Sequence, residues 1–327
     1  MKLFSFPHVV IYELMEQFRP VELVGLSFCS KKAHSFVKTF SKIKEDLEIR
    51  SSREKGYAYE LGFPSSVLIR VALEDSRFLD TSDAKTHQDF KYSCDKLGCL
   101  YTYWEDVVHG CRASTNYICD LFKVPVATVP ILHEADLWLL NFVQKRQERT
   151  LKKVIALERF HVSSEGYSRM ISSNATELLD CWSKPPDDYR FDGKLPSARN
   201  LRIEYGAWIT REHLLSLQSQ NADLYTSEIT ISDINAMLKS WLDGGLPNLK
   251  TLCLSNIKSN DQTDYDLVDQ LERALEEVYY KWDSFAPDIP FNSNVFHMRR
   301  DDGVVATVQF GPEFWMVVWP DLNGKSV

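Results

Sequence analysis

The first forty residues carry more apolar helix surface than a segment of that length can bury within itself. One helix face is marked by four apolar side chains at i, i+3, i+4 and i+7 spacing: Ile11, Leu14, Met15 and Phe18. The pair Arg19-Pro20 predicts the end of this helix, because a residue that precedes proline is disfavoured in the helical region.

Two more helices are predicted in the same segment. The second is apolar nearly all round, since Leu23 and Leu26 mark one side and Phe28 marks the other. Ser30 can cap the third helix, whose apolar face ends at Phe40. Three helices this short bury too little surface to be stable alone, so a partner protein or another layer of the same chain must cover the remaining face.

Composition excludes several classes of function. A chain of 327 residues is long enough for two or more domains, and its net charge of −8 argues against a protein that coats nucleic acid. No window approaches the roughly 18 apolar residues of a membrane span. Seven scattered cysteines and the lack of a signal-peptide pattern favour reduced thiols and a cytoplasmic or nuclear location.

The N-terminal segment resembles an F-box. The resemblance rests on Phe6-Pro7, Val10-Ile11, Leu14-Met15, Glu22-Leu23 with Leu26, and the run Cys29-Ser30-Lys31-Lys32. It implies a three-helix module that binds the Skp-type adaptor of an SCF ubiquitin ligase and, through the adaptor, a cullin. The residues that it implies for adaptor binding are Phe6, Pro7, Val10, Ile11, Leu14, Met15, Leu23, Leu26 and Phe28.

A soft internal repeat begins near residue 125. Strand-like segments recur roughly every 23–28 residues, within the range of leucine-rich repeats, and helix-like segments lie between them. The clearest copy, at residues 249–256, has the pattern Leu-x-x-Leu-x-Leu-x-Asn. An ordinary α/β domain with alternating strands and helices remains the alternative.

If the repeats curve, alternate strand residues line a concave face. Such a mixture of polar and aromatic side chains suits protein recognition. The predicted target-binding residues are Arg202, Glu204, Asp223, Tyr225, Thr251 and Cys253.

The remaining segments complete the predicted domain organisation. Residues 46–124 are rich in strand patterns, residues 265–282 predict a helix, and two strands follow at 304–310 and 314–319. The predicted fold is α+β or α/β, with an N-terminal three-helix F-box and a leucine-rich-repeat-like α/β domain. Its four parts are the F-box at 1–45, a β-rich connector at 46–124, the repeat-like domain at 125–257, and a C-terminal helix and β-hairpin at 258–327.

A second resemblance covers nearly the whole chain. The stretch Trp241-Leu242-Asp243-Gly244-Gly245-Leu246-Pro247-Asn248-Leu249, the hairpin turn Arg300-Asp301-Asp302-Gly303 and a Trp-Pro ending resemble the F-box-associated domain of type 2. This family implies a substrate receptor whose associated domain holds the target protein.

Motifs of catalysis do not emerge. The sequence has no G-x-S-x-G elbow, P-loop or H-E-x-x-H pattern. The residues that could suggest zinc are Cys94, Cys99, His109, Cys111 and Cys119. Without a C-x-x-C pair they favour buried thiols, so no metal or cofactor is predicted.

The sequence therefore predicts a non-catalytic substrate-recognition subunit of an SCF-type ubiquitin ligase. Its partners are a Skp-type adaptor, a cullin reached through the adaptor, and an unidentified target protein, with no nucleic acid or membrane. The alternative is a repeat-type interaction scaffold without a ligase role. An enzyme whose site is assembled from distant residues is a third hypothesis.

Overall fold

The chain divides into two compact units in the computed structural model. Unit 1 comprises Met1–Ile131 and Trp138–Leu151, and unit 2 comprises Leu132–Leu137 and Lys152–Val327. The structure describes residues 6–51, 58–74, 84–87, 90–95, 98–156, 159–258, 272–273, 278–280, 289–291 and 295–320.

Unit 1 begins with three helices, α1 (His8–Gln17), α2 (Pro20–Phe28) and α3 (Lys31–Phe40). Helix α2 starts at a proline, and the Glu22 carboxylate accepts the Arg19 backbone N–H at 2.8 Å. The Ser30 hydroxyl accepts the Ala33 N–H at 3.1 Å and so caps α3 as the sequence predicts. The proline at the start of α2 and the Ser30 cap of α3 therefore explain where these two helices begin.

A mixed sheet forms the body of unit 1. Its strands pair in the order β7-β1-β2-β3-β6-β5-β4; the β1–β7 and β3–β6 pairs are parallel and the others antiparallel. Leu47, Ile49 and Leu61 are fully buried in it. The strands are β1 (Leu47–Ser51), β2 (Tyr59–Phe63), β3 (Ser66–Leu73), β4 (Lys85–His87), β5 (Phe90–Cys94), β6 (Leu100–Trp104) and β7 (Val126–Pro130).

Two more helices follow, α4 (Val107–Phe122) and α5 (Leu137–Arg146). Asp106 caps α4 by accepting the Val108 N–H at 2.9 Å, and the chain leaves the helix at Lys123 with φ of 58°. Ile118 and Leu121 of α4 are fully buried. No helix in the described ranges is both long and apolar enough to cross a lipid bilayer.

Helices α2 and α3 pack on the body of unit 1. The Phe28 ring lies 5.2–5.5 Å from the rings of Phe90, Tyr92 and Tyr117, measured between centroids. The Tyr117 hydroxyl on α4 bonds to the Ser27 hydroxyl at 2.7 Å and to His34 Nδ1 at 3.1 Å. Burial raises the pKa of Tyr117 to about 12, because the charged phenolate would lose its contact with water.

Unit 2 contains a parallel sheet that continues into antiparallel strands. β8 to β12 pair in sequence order and are all parallel, and β12 then pairs antiparallel with β18, which is followed by β17, β16 and β13. β14 and β15 form a separate antiparallel pair. The strands are β8 (Lys153–Ala156), β9 (Leu178–Cys181), β10 (Asn200–Ile203), β11 (Asn221–Tyr225), β12 (Thr251–Ser255), β13 (Glu272–Arg273), β14 (Val278–Tyr280), β15 (Ile289–Phe291), β16 (Val295–Arg299), β17 (Val305–Gln309) and β18 (Glu313–Trp319).

Three helices of unit 2 lie between consecutive parallel strands, in the β8–β9, β10–β11 and β11–β12 connections. They are α6 (Ser164–Ile171), α7 (Arg211–Leu215) and α8 (Ile231–Leu242). Tyr167 of α6 and Trp241 of α8 are almost fully buried, as is Phe314 of β18. These large side chains place the core of unit 2 on one side of the parallel strands.

The predicted fold class is wrong, although most of the predicted strands occur where the sequence places them. Each unit is built on a large mixed sheet, whereas a leucine-rich-repeat domain would carry only parallel strands between its repeats. The N-terminal helices are not a self-contained three-helix F-box, because α2 and α3 pack against unit 1 through Phe28 and Tyr117. Sequence periodicity identified strands but not their partners, and the partners decide the fold.

The C-terminal helix predicted over 265–282 is also wrong at every described residue of that segment. Residues 272–273 and 278–280 are strands, and the rest of the segment lies outside the described residues. The strands predicted at 304–310 and 314–319 are observed as β17 and β18.

A glycine pair tests the packing of unit 1. A Cβ built on Gly110 of α4 would lie 2.5 Å from Trp104 Cγ, whereas a Cβ on Gly25 of α2 meets nothing within 4 Å. We expect Gly110→Ala to lower the free energy of unfolding by about 1–3 kcal/mol through overpacking. Gly25→Ala should raise it by up to about 1 kcal/mol through helix propensity. Urea denaturation measures both changes, and a neutral Gly110→Ala would contradict this packing.

Candidate protein-binding surfaces

The nine side chains predicted to bind an adaptor fall into three classes of exposure. Phe6, Pro7 and Val10 are exposed, and Leu14 and Leu26 are half-buried. The others, Ile11, Met15, Leu23 and Phe28, are buried within unit 1. Only the first two classes are accessible to a partner in this structure.

The exposed apolar side chains cluster at the start of α1. Phe6 is 40% exposed, Val10 is 47% exposed, and Val9, which the sequence prediction missed, is 72% exposed. We call Phe6, Pro7, Val9 and Val10 the α1 patch. Contiguous exposed apolar surface of this kind marks an interaction site more often than single scattered residues do. Val9 was missed because the F-box resemblance did not include it, and at helical spacing it lies opposite the predicted apolar face of α1.

The second surface is one face of the parallel sheet in unit 2. Side chains alternate between the two faces of a strand, so Leu179, Leu201 and Leu252 all point to the buried side. Register places Asp180, Arg202, Asp223 and Cys253 in one row across β9 to β12 on the opposite side. We call this second side the polar face.

Trp182 organises the charges at one end of the polar face. The indole N–H of Trp182 donates to Asp180 Oδ1 at 2.8 Å, and the guanidinium of Arg202 lies 4.8 Å from the centre of the Trp182 ring. Arg202 Nε is also 3.2 Å from Asp223 Oδ2. Arg159 contacts Glu204 Oε1 at 2.7 Å and lies 5.6 Å from the same indole ring. The indole is thus held by two cations and one carboxylate.

A ladder of side-chain hydrogen bonds runs along the next row of the polar face. Asn221 donates to Asn200 Oδ1 at 2.7 Å, and the Thr251 hydroxyl donates to Asn221 Oδ1 at 2.7 Å. Asn221 and Thr251 are buried, so the ladder satisfies polar groups and holds the strand register.

All six predicted target-binding residues lie on the polar face, but they differ in access. Tyr225 is 45% exposed, and Arg202, Glu204 and Asp223 are half-buried. Thr251 and Cys253 are 1% and 2% exposed, so neither presents its side chain to a partner in this structure. The members that the sequence prediction missed are Arg159, Asp180, Trp182 and Glu313, the last of which is the β18 partner of Ser255 in the sheet register. If the same alternation of side chains had been applied to the preceding strand, β9, it would have identified Asp180 and Trp182.

Burial disfavours the charged form of two carboxylates on the polar face. Desolvation raises the pKa of Asp180 and the pKa of Asp223, while the nearby Arg202 opposes both shifts. Desolvation also raises the pKa of the Cys253 thiol, so this cysteine is protonated at neutral pH and is not a reactive nucleophile.

A cleft opens beyond the carboxyl ends of β9, β10 and β11. Its volume is 240 Å³, and its walls include Tyr189, Tyr205, Trp208 and the exposed Tyr225. Tyr189 and Trp208 pack edge to face with ring centroids 5.7 Å apart. In open α/β sheets, ligands bind outside the carboxyl ends of parallel strands. Tyr225 joins this aromatic cleft to the polar face.

The cysteines whose proximity in the sequence could suggest a zinc site lie in different environments. Cys111 and Cys119 are buried on α4, whereas Cys94 is exposed on β5. Burial raises the pKa of Cys119 to about 11. Within the described part of the chain, no group of three or more His, Cys, Asp or Glu side chains is arranged to hold a metal ion.

Comparison with known proteins relates the polar face to a family. A family model described as F-box associated matches residues 194–254, which include β10, β11 and β12. The resemblance to an F-box-associated domain is thereby confirmed for this part of the chain. The chain is also similar to Uncharacterized protein F59B2.9 of Caenorhabditis elegans, with 22% identity over 340 aligned residues that span 93% of this chain and 74% of that protein. No solved structure matches the chain.

The buried carboxylate of Asp180 gives a prediction for pH dependence. Its pKa is raised on folding, so the native state loses stability as pH rises from the ordinary Asp pKa of about 3.8 through the raised native value. Asn in its place keeps an acceptor for Trp182 and does not titrate. We therefore expect the melting temperature of Asp180→Asn, relative to the unchanged protein, to increase between pH 4 and pH 7. The exposed Asp187→Asn controls for loss of charge, and a relative melting temperature that falls with pH would contradict the prediction.

Proposed function

We propose that the protein is a substrate receptor of an SCF-type ubiquitin ligase. In this proposal the N-terminal segment, residues 1–45, binds a Skp-type adaptor and thereby a cullin. The polar face and the aromatic cleft of unit 2 bind a target protein. The complex acts in the cytoplasm or the nucleus.

The observation that carries the proposal is the F-box associated match at residues 194–254. The matched segment supplies Arg202, Glu204, Asp223 and Tyr225, which combine half-buried charges with one exposed aromatic ring. Aromatic and Arg side chains are the types that contribute most to protein interfaces. These features support target binding by unit 2.

The α1 patch supports the assignment of the adaptor site. Across the described residues, large apolar side chains are exposed at five positions, and three of the five are Phe6, Val9 and Val10. Burying one such side chain in an interface is worth about 1.5–3 kcal/mol. The half-buried Leu14 and Leu26 belong to the same N-terminal helices and extend the apolar surface that an adaptor would cover.

A receptor of this kind needs no catalytic residues. Its contribution to rate is to hold the target close to a ligase partner that performs the transfer, which converts a bimolecular encounter into a local one. The protonated Cys253 and the salt-bridged carboxylates of the polar face suit binding rather than bond-making.

Substitution of Val10 tests the adaptor site. Val10→Asp places a charge in the α1 patch without disturbing the core, because the side chain is 47% exposed. We expect the affinity for a purified Skp-type adaptor to fall at least about tenfold, equivalent to about 1.4 kcal/mol. Isothermal titration calorimetry with the full chain gives the dissociation constant.

Gln17→Glu is the matched control, because it adds the same charge at an exposed polar position of the same helix. Its affinity should remain within about twofold of the unchanged protein. If Val10→Asp and the unchanged protein bound the adaptor with equal affinity, the assignment of the adaptor site would be contradicted. Leu23→Ala is unsuitable, because Leu23 is 2% exposed and its truncation would destabilise the fold by about 2–5 kcal/mol.

Deletion of the N-terminal helices does not distinguish a receptor from a scaffold. Removing residues 1–45 would uncover the ring cluster of Phe90, Tyr92 and Tyr117 on which Phe28 packs. The remaining chain would lose stability under either function, so point substitutions are the informative variants.

Tyr225 tests target binding. We expect Tyr225→Ala to reduce recovery of co-purified proteins about fivefold or more in cells treated with a proteasome inhibitor, because exposed tyrosines anchor interfaces. Tyr225→Phe keeps the ring and should retain most of them. Recovery of the adaptor should be the same in all three proteins. Quantitative mass spectrometry measures both sets, and unchanged recovery of every partner with Tyr225→Ala would contradict the role of this surface.

A further inference from the structure

A basic groove lies between α4 and α5 of unit 1, and its lining includes no residue of the α1 patch or of the family match. Its volume is 640 Å³, within the range of pockets that bind ligands. The residues that line it and carry the argument are Arg112, Asn116, Trp138, Phe142, Lys145 and Arg146.

Helical spacing explains why these side chains meet. Arg112, Asn116 and Asp120 lie four residues apart on one face of α4. On α5, Trp138 and Phe142 are also four residues apart and provide an aromatic floor. Asn141 and Lys145 repeat the same spacing beside them. Each helix therefore presents a continuous row of side chains to the groove.

Two arginines connect the helices across the groove. The guanidinium of Arg112 lies 4.8 Å from the centre of the Trp138 ring and 6.0 Å from that of Phe142. Arg146 donates to Asn116 Oδ1 and to Asp120 Oδ1, both at 2.8 Å. These contacts hold the two arginine side chains in place before any ligand binds, which reduces the conformational entropy that they lose on binding.

The charge of the groove is not balanced within the part of the protein that the structure describes. Arg146 has Asp120 as its ion-pair partner. In the described ranges, no carboxylate lies within ion-pair distance of Arg112 or Lys145. Two uncompensated cations thus line one groove in a chain whose net charge is −8.

We propose that this groove binds an acidic segment of a partner protein. Carboxylates of the segment would pair with Arg112 and Lys145, and an apolar side chain between them would pack on the floor formed by Trp138 and Phe142. The Asn141 amide in the groove wall offers a donor and an acceptor to the backbone of an extended peptide. Arg–carboxylate pairs supply direction as well as attraction.

Charge and shape favour a peptide over a nucleic acid. A nucleic acid places a charge at every nucleotide and requires many cations along its track, whereas this groove has two that are uncompensated. One ring of the floor, Trp138, already lies under the Arg112 guanidinium, whereas stacking of successive bases requires several free ring faces. The proposal is independent of the SCF assignment, because neither the α1 patch nor the polar face contributes to it.

Selection from a peptide library tests the proposal. A library of random twelve-residue peptides is first depleted on the full chain carrying Arg112→Glu and Lys145→Glu, and is then selected on the unchanged full chain. We expect recovered peptides to be enriched in Asp and Glu. Their dissociation constants, measured by fluorescence anisotropy, should increase at least about tenfold for the double variant. They should also increase when NaCl is raised from about 50 to 200 mM, because salt screens the attraction.

Two further variants separate loss of binding at the groove from loss of folding and from a general change of net charge. Lys145→Glu alone changes an exposed side chain and, with an unchanged melting temperature, should still weaken binding measurably. Lys31→Glu with Lys38→Glu makes the same charge change at exposed positions that do not line the groove, and should leave binding within about twofold. A failure to recover any peptide, recovered peptides without acidic enrichment, or tighter binding of a fifteen-nucleotide single strand through Arg112 and Lys145 would overturn the proposal.

Discussion

Strict alternation of side chains along the parallel strands is the constraint on which unit 2 depends. One side of β9 to β12 is apolar and carries Leu179, Leu201 and Leu252, while the other carries charges and amides. A slip of one residue would exchange the two faces, so the buried Asn221–Thr251 ladder and the apolar core enforce the same register. The polar face therefore exists because the other face must be buried.

A single tyrosine has a comparable role in unit 1. Tyr117 joins α4 to α2 and α3 through two hydrogen bonds, and its ring supports Phe28. The surface left to a partner is correspondingly limited, because five apolar side chains of α1 and α2 are buried within unit 1: Ile11, Met15, Leu23, Val24 and Phe28. The N-terminal helices thus serve two purposes, covering the sheet of unit 1 and presenting the α1 patch.

The sequence predicts helices and strands far better than it predicts which strands pair and which apolar side chains are buried within the chain. Spacing located the N-terminal helices and most strands, and alternation put Arg202, Asp223 and Tyr225 on one face. It did not show that Leu23 and Phe28 are buried, because an apolar side chain has the same pattern whether it faces a partner or its own chain. Nor did it show that β12 is followed in space by β18, since antiparallel pairing between distant segments leaves no periodic signal.

The pairing of β12 with β18 also has a consequence for synthesis of the chain. β8 to β12 are neighbours both in sequence and in the sheet, so each can add to the last as the polypeptide leaves the ribosome. β12, with its buried Leu252 and Leu254, then has an unpaired edge until Glu313–Trp319 has been made. During that interval it is a ready template for another strand, so the nascent chain is most vulnerable to aggregation before β18 emerges.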